Sequence, residues 1–172
     1  MTPEFSRPIR LDTIGETARV VAIEADGRER AALAQRFVLV RLERLDAAGK
    51  IHRDGETVLV EGRFRAEATQ SCVATGEPVD TTIDAPLSLR FVPEEGDLPD
   101  EIELQAQDCD TLTYAGGAID LGEAVAETLA LSLDPYPRGP RAEAALKAAG
   151  VVPEDEAGPF AALKALRDKL KG

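Results

Sequence analysis

Two runs of alternating residues flank a Thr-Gly turn, and they constrain this 172-residue chain more than any other feature in it. In the first, Val58, Val60, Gly62, Phe64, Ala66 and Ala68 interleave with Leu59, Glu61, Arg63, Arg65 and Glu67. In the second, Val79, Thr81, Ile83, Ala85, Leu87, Leu89 and Phe91 interleave with Asp80, Thr82, Asp84, Ser88 and Arg90. A strand turns successive side chains to opposite faces, so each run has one apolar side and one wet side. With Thr75-Gly76 between them, the runs predict a long β-hairpin with one face in water. A slip of one residue would bury Arg63 and Arg65 unpaired, so both arginines are expected to face solvent. Pro86 has no N–H to donate, which predicts that the second strand is an edge or carries a bulge.

Shorter elements surround the hairpin. Residues 17–26 (TARVVAIEAD) read as a strand and residues 27–37 (GRERAALAQRF) as a short helix. In VLVRLERLDAAGK, Val38, Val40 and Leu42 fall on one side with Arg41 and Glu43 opposite, which predicts a half-buried strand ending at Gly49. His52 then lies in a polar turn, and DTLTYAGG offers one more short strand. The clearest helix is IDLGEAVAETLALSLDPYP, where Asp120 is placed to cap and Glu123, three residues on, to complete a capping box. Leu121, Ala124, Val125, Thr128, Leu129 and Leu131 share its broad apolar face, and Asp134-Pro135 stops it. Residues 1–140 are therefore expected to form a domain. Residues 141–172 read as a linker and a short amphipathic helix with Phe160, Leu163, Leu166 and Leu170 in one stripe, docking either on its own domain or on a partner.

Charge is distributed unevenly. The formal net charge is −12, yet residues 1–90 hold 13 Lys and Arg against 15 Asp and Glu, whereas residues 91–137 hold 12 acids and no Lys or Arg. Such a block repels phosphate backbones and attracts basic partners, while charge runs in general often serve only solubility. Aromatics are 4% with no Trp, so the core must be aliphatic. No stretch approaches the ~18 apolar residues of a membrane span, and the opening MTPEFSRPIRLD has no apolar run of signal-peptide length. With two cysteines far apart, the expectation is a cytoplasmic protein with reduced thiols.

Reactive constellations are sparse. A structural zinc site needs four ligands, commonly with a close cysteine pair, and Thr75 stands three residues after Cys72. Cys109 and the single histidine, His52, make a poor complement to Cys72, so no metal and no cofactor is expected. No Gly-rich phosphate loop or nucleophile elbow is present, and Cys72 beside a hairpin reads as a small buried hydrophobe at a corner. The chain is not expected to be an enzyme.

CVATGEPV followed by IDLGEAVAETLALSLDPYPR resembles the YceD family of bacterial proteins, named for the accumulation of large-subunit ribosomal RNA. The opening EFSRPI and the ERAALAQRF helix are similar as well, so the resemblance runs over residues 4–140. Its most specific parts are Cys72 with Glu77-Pro78, and Asp120-Leu121-Gly122-Glu123 with Leu131 and Pro135. The resemblance implies an α+β fold, a curved and mostly antiparallel sheet, open or barrel-like, with a few packed helices. It also implies a role in large-subunit biogenesis without a known reaction. Many members of the family carry C-x-x-C at this corner, sometimes with Cys or His further on, as in a metal knuckle. This sequence has Thr75 in the second place and no Cys or His after Pro135.

Two binding functions follow as expectations. In the first, Glu94, Glu95, Asp97, Asp100, Glu101 and Glu103 take a basic ribosomal protein or a precursor of the large subunit. In the second, Arg41, Arg44, Arg63, Arg65 and Arg90 contact ribosomal RNA from the wet face of the sheet, although nearly matched acids and the lack of a stacking platform favour the first.

Overall fold

Long strands dominate the structure, a computed structural model that describes residues 3–94 and 110–151. Strand β1 (Pro8–Arg10) leads through a 3-10 turn (Leu11–Thr13) to β2 (Arg19–Glu24) and helix α1 (Gly27–Arg36). Strands β3 (Arg41–Asp54), β4 (Thr57–Ser71) and β5 (Pro78–Pro93) follow. After them come β6 (Asp110–Tyr114), β7 (Ala118–Asp120), α2 (Leu121–Ser132) and α3 (Ala142–Ala148). One sheet has the order β2-β3-β4-β5-β6, and a small second sheet pairs β1 with β7. The fold is α+β as expected. The five-stranded sheet has two ends, β2 and β6, so it is open and not a closed barrel.

The predicted hairpin is present, and its alternation sorts the side chains as the pattern demands. Val58, Val60, Phe64, Ala66, Ala68, Leu87, Leu89 and Phe91 are buried, while Arg63, Arg65, Asp84 and Arg90 are exposed. They share a core with Leu33 of α1 and with Leu121, Val125 and Leu129 of α2. Burying an aliphatic or aromatic side chain of this size contributes about 1.5–3 kcal/mol, so this interior, mostly aliphatic with Phe5, Phe64 and Phe91 among it, is the main source of stability. Strand β6 runs parallel to β5 and pairs only with Leu89–Pro93. Pro86 therefore sits upstream of those pairs, where β5 has β4 as its neighbour, in keeping with its missing donor.

Four local expectations are corrected. First, β3 starts at Arg41, not Val38, because α1 ends in a Schellman motif that uses up the intervening residues. Val38 N–H donates to the Gln35 carbonyl (3.3 Å) and Leu39 N–H to the Ala34 carbonyl (2.8 Å). Val38 and Val40 are consequently 86% and 53% exposed, while Leu42 is buried as predicted. Second, β3 does not stop at Gly49. Gly49 pairs with Gly62 so closely that a Cβ on Gly49 would lie 2.3 Å from the Glu61 carbonyl oxygen. The glycine thus permits a close strand crossing instead of ending a strand, and His52 belongs to β3, opposite Leu59. Third, Leu131 is 79% exposed and leaves the apolar face of α2. Fourth, the capping box belongs to α1. The Asp26 carboxylate accepts from the Arg28 and Glu29 N–H groups, and Glu29 accepts from the Asp26 N–H. At α2 only Asp120 caps.

Contacts divide the chain into two units, Met1–Gln70 with Asp80–Pro135, and Ser71–Val79 with Tyr136–Gly172. The first holds the core and the sheet. The second holds the hairpin tip and α3, whose residues fall in the RAEAALKAAG stretch. The predicted helix over residues 159–172 lies outside the described residues.

Candidate functional site

Three groups of residues stand out, and they differ in what holds them. The first is the outer face of the sheet. Arg63 and Arg65 both face solvent, as the alternation requires. Asp84 of β5 takes them both, Arg63 at 2.8 Å and Arg65 at 3.7 Å. Arg41 pairs with Glu43 at 2.8 Å, and Arg44 with Asp46 and, at 3.9 Å, with Glu67. Arg90 is exposed with no ion pair among the described residues. Exposed pairs of this kind contribute at most about 1 kcal/mol each, but they turn a row of cations into a lattice of alternating sign.

The second group gathers the Asp120-Leu121-Gly122-Glu123 motif around the N-terminal segment. One carboxylate oxygen of Asp120 accepts from the N–H groups of Arg7 (2.8 Å), Gly122 (3.0 Å) and Glu123 (3.2 Å), and the other from the Ser6 hydroxyl (2.5 Å). The Leu121 N–H donates back to the Arg7 carbonyl (3.1 Å). Phe5 is fully buried beside it, and a Cβ on Gly122 would fall 2.6 Å from the Phe5 carbonyl oxygen and 2.9 Å from the Arg7 nitrogen. Glu123 does not reach back to its own cap. It meets Arg36, which also holds Glu4, so α1, α2 and the N-terminus share one cation. Those two carboxylates raise the Arg36 pKa, Glu123 most. Arg7 makes a two-pronged pair with Glu29 (2.6 and 2.9 Å), which holds the Glu29 carboxyl below its usual pKa of 4.5. The motif is a clasp. The signal that could have revealed it was EFSRPI, whose Glu4, Phe5, Ser6 and Arg7 all take part.

The third group is the corner of the hairpin. The Cys72 N–H donates to the Glu77 carbonyl (2.7 Å) and the Gly76 N–H to the Cys72 carbonyl (2.8 Å). Gly76 has φ of +72°, a conformation open to glycine at little cost. The Thr75 hydroxyl and the Glu77 carboxylate bond at 3.2 Å, and Arg141 closes on Glu77 through its Nε at 3.0 Å. Cys72 is 3% exposed, as a packed residue should be, but its surroundings are not those of an inert hydrophobe. The Gly139 N–H donates to its sulfur at 3.4 Å. That N–H, then the Thr75 hydroxyl, then the N–H groups of Ala74 and Thr75 outweigh burial and lower the Cys72 pKa from its usual 9 to about 7. Hydrogen bonds of this type stabilise a thiolate. Nothing in the sequence around Cys72 announces the Gly139 N–H, 67 positions away. Among the described residues no three His, Cys, Asp or Glu gather as a metal would require. Cys109 lies outside the described residues.

The acidic segment is visible only at its start. The Glu94 N–H donates to the Tyr114 carbonyl (2.9 Å), and Glu94 lies at the rim of a shallow depression with Arg53, Glu56, Pro93 and Tyr114. Glu95, Asp97, Asp100, Glu101 and Glu103 lie outside the described residues.

Fold and motifs together define an α+β protein built on one long hairpin, with a cysteine at its corner and a glycine-centred clasp at its last core helix. The chain belongs to the YceD family, the large ribosomal RNA subunit accumulation proteins, whose family model matches residues 60–167. That span contains both the corner and the clasp motif. The family carries a role in the accumulation of large-subunit ribosomal RNA. No curated protein and no solved structure matches the chain. No helix among the described residues is long and apolar enough to cross a membrane.

Proposed function

We propose that this protein supports accumulation of the large ribosomal subunit as a non-catalytic binding factor in the cytoplasm, taking a basic ribosomal protein on its acidic segment. The observation that carries the reading is the segregation of charge. Residues 91–137 contain 12 acids and no Lys or Arg, although the chain as a whole has 20 basic residues. A field of one sign speeds the encounter with a small basic protein and keeps RNA phosphates away from it. The state of the outer-face arginines supports protein over RNA as the direct partner. Arg41, Arg44, Arg63 and Arg65 already face carboxylates, so a phosphate would have to displace an anion to reach them.

The test replaces Glu94, Glu95, Asp97, Asp100, Glu101 and Glu103 by Gln or Asn. Folding should be kept, association with purified basic large-subunit ribosomal proteins should slow at low salt, and large-subunit RNA should fall in cells. Wild-type association by the neutralised variant would return the segment to a solubilising role. If instead Arg63→Ala with Arg65→Ala reduced the salt dependence of binding to large-subunit RNA, the arginine face would be the working surface.

A further inference from the structure

The loop between α1 and β3 has two features that internal packing does not explain. Val38 has φ of +55°, where a β-branched side chain is strained, and it fills the position that a Schellman helix end normally gives to glycine. It is also 86% exposed, so no burial offsets that strain. Val40 is 53% exposed two residues on. The loop is nonetheless held firmly. The Leu39 N–H bonds to the Ala34 carbonyl (2.8 Å), its side chain packs on the core, and the Val40 N–H bonds to the Thr69 carbonyl (2.8 Å). Two valines are thus presented outward on a fixed backbone, where glycine and a polar residue would suit the free protein better. Strain that the fold itself does not need is a pointer to function, and a rigid apolar projection loses little freedom on binding.

We propose that Val38 and Val40 form an apolar anchor for a basic protein, the same class of partner that the acidic segment would take, and the inference rests on that reading. Charge selects this occupant. Two residues before Val38, the single positive charge of Arg36 is outnumbered by Glu4 (2.9 Å) and Glu123 (2.8 Å), and Arg41 after Val40 is matched by Glu43 (2.8 Å), so the balance around the two valines is negative. Glu123, which meets Arg36, belongs to the block that has no Lys or Arg. An apolar side chain flanked by Lys or Arg fits such a setting, and a phosphate backbone does not.

The experiment uses the full chain, a set of purified basic large-subunit ribosomal proteins as probes, and large-subunit RNA as a second arm. Val38→Gly should raise Tm by about 2–4 °C through release of strain and yet weaken binding of the best protein probe about tenfold. Adding Val40→Ser should weaken it further. Stability and binding moving in opposite directions is the signature, since a merely structural residue would move neither this way. If Val38→Gly binds like wild type while the acid-neutralised variant loses the probe, the anchor is overturned and the acidic reading stands. If neither variant changes protein binding, both fail. A lower Tm for Val38→Gly overturns the strain argument, and an effect confined to the RNA arm overturns the choice of partner.

Discussion

The clasp motif and the corner both lie within the span that matches the family, but their chemistry is different. At the clasp, Asp120, Gly122 and Glu123 are fully used by the fold: four donors on one carboxylate, a backbone crossing where only glycine fits, and an ion pair shared with Glu4. At the corner, Glu77 and Gly76 shape the turn, while the Cys72 sulfur is surrounded by donors that no packing argument requires. Motif residues can thus hold the protein together or set the surroundings of a reactive group, and only those surroundings distinguish the two.

The sharpest way to break the comparison is at Gly122. A methyl group there would meet two backbone atoms, neither of which moves like a side chain end, so the N-terminal segment must lift away from α2. Gly122→Ala should cost about 3 kcal/mol and lower Tm by roughly 10 °C in thermal unfolding. A loss below about 0.5 kcal/mol, the level of an ordinary surface substitution, would show that the clasp yields easily. The Asp120→Ala substitution comes next. It removes a helix cap and leaves the Arg7 N–H without its acceptor, for about 2 kcal/mol together. Asp120→Asn keeps one acceptor oxygen and should recover roughly half of that loss, which denaturant titration would read. By contrast Glu77→Gln at the corner leaves the turn bonds of Cys72 and Gly76 intact and should stay within about 0.5 kcal/mol of wild type.

A smaller effect is expected from pH. The Arg7 guanidinium holds the Glu29 carboxyl below 4.5, so the folded state releases this proton more readily than the unfolded chain. The stabilisation is therefore complete above pH 4.5 and is lost as pH falls through the lowered folded value. Tm should drop as pH falls below 4.5, and Arg7→Gln should make that drop shallower. Equal slopes for the two proteins would remove the pair from the account of acid stability.

How much of this was legible in the sequence depends on range. The hairpin, the register that exposes Arg63 and Arg65, α1, and the cap at Asp120 are local patterns of period two or of capping chemistry, and each could be read directly. Val38 and Val40 could not, because alternation alone cannot tell a strand from a helix end that continues in the same parity. Gly49 looks like a strand end until Gly62 is known to lie opposite it. Glu123 satisfies a capping-box spacing, but Arg36, 87 positions away, offers it a full charge. At Val38 and Val40 the winner is a local helix end, whereas at Gly49 and Glu123 a distant group wins over a neighbour. The same holds for the Cys72 sulfur, since its chief donor comes from Gly139.

That donor gives the smallest effect and the most specific test of the corner. A thiol with a folded pKa near 7, against an ordinary 9, is substantially ionised at neutral pH. Because the folded value is the lower one, the hydrogen bonds to the thiolate stabilise the protein fully above pH 9, and this contribution fades as pH falls through 7. Ultraviolet titration of the thiolate in the Cys109→Ser protein, which leaves one cysteine, should show a midpoint near 7. Thr75→Val removes the hydroxyl donor and keeps the volume, so it should move the midpoint upward; because the same hydroxyl also bonds Glu77, a small loss of Tm at low pH, where the thiol is neutral, should accompany it. The backbone N–H of Gly139 survives every side-chain substitution, so a residual depression should persist in Thr75→Val. A wild-type midpoint at the ordinary value of 9 would make the corner a plain packed turn, and the contrast with the clasp would disappear.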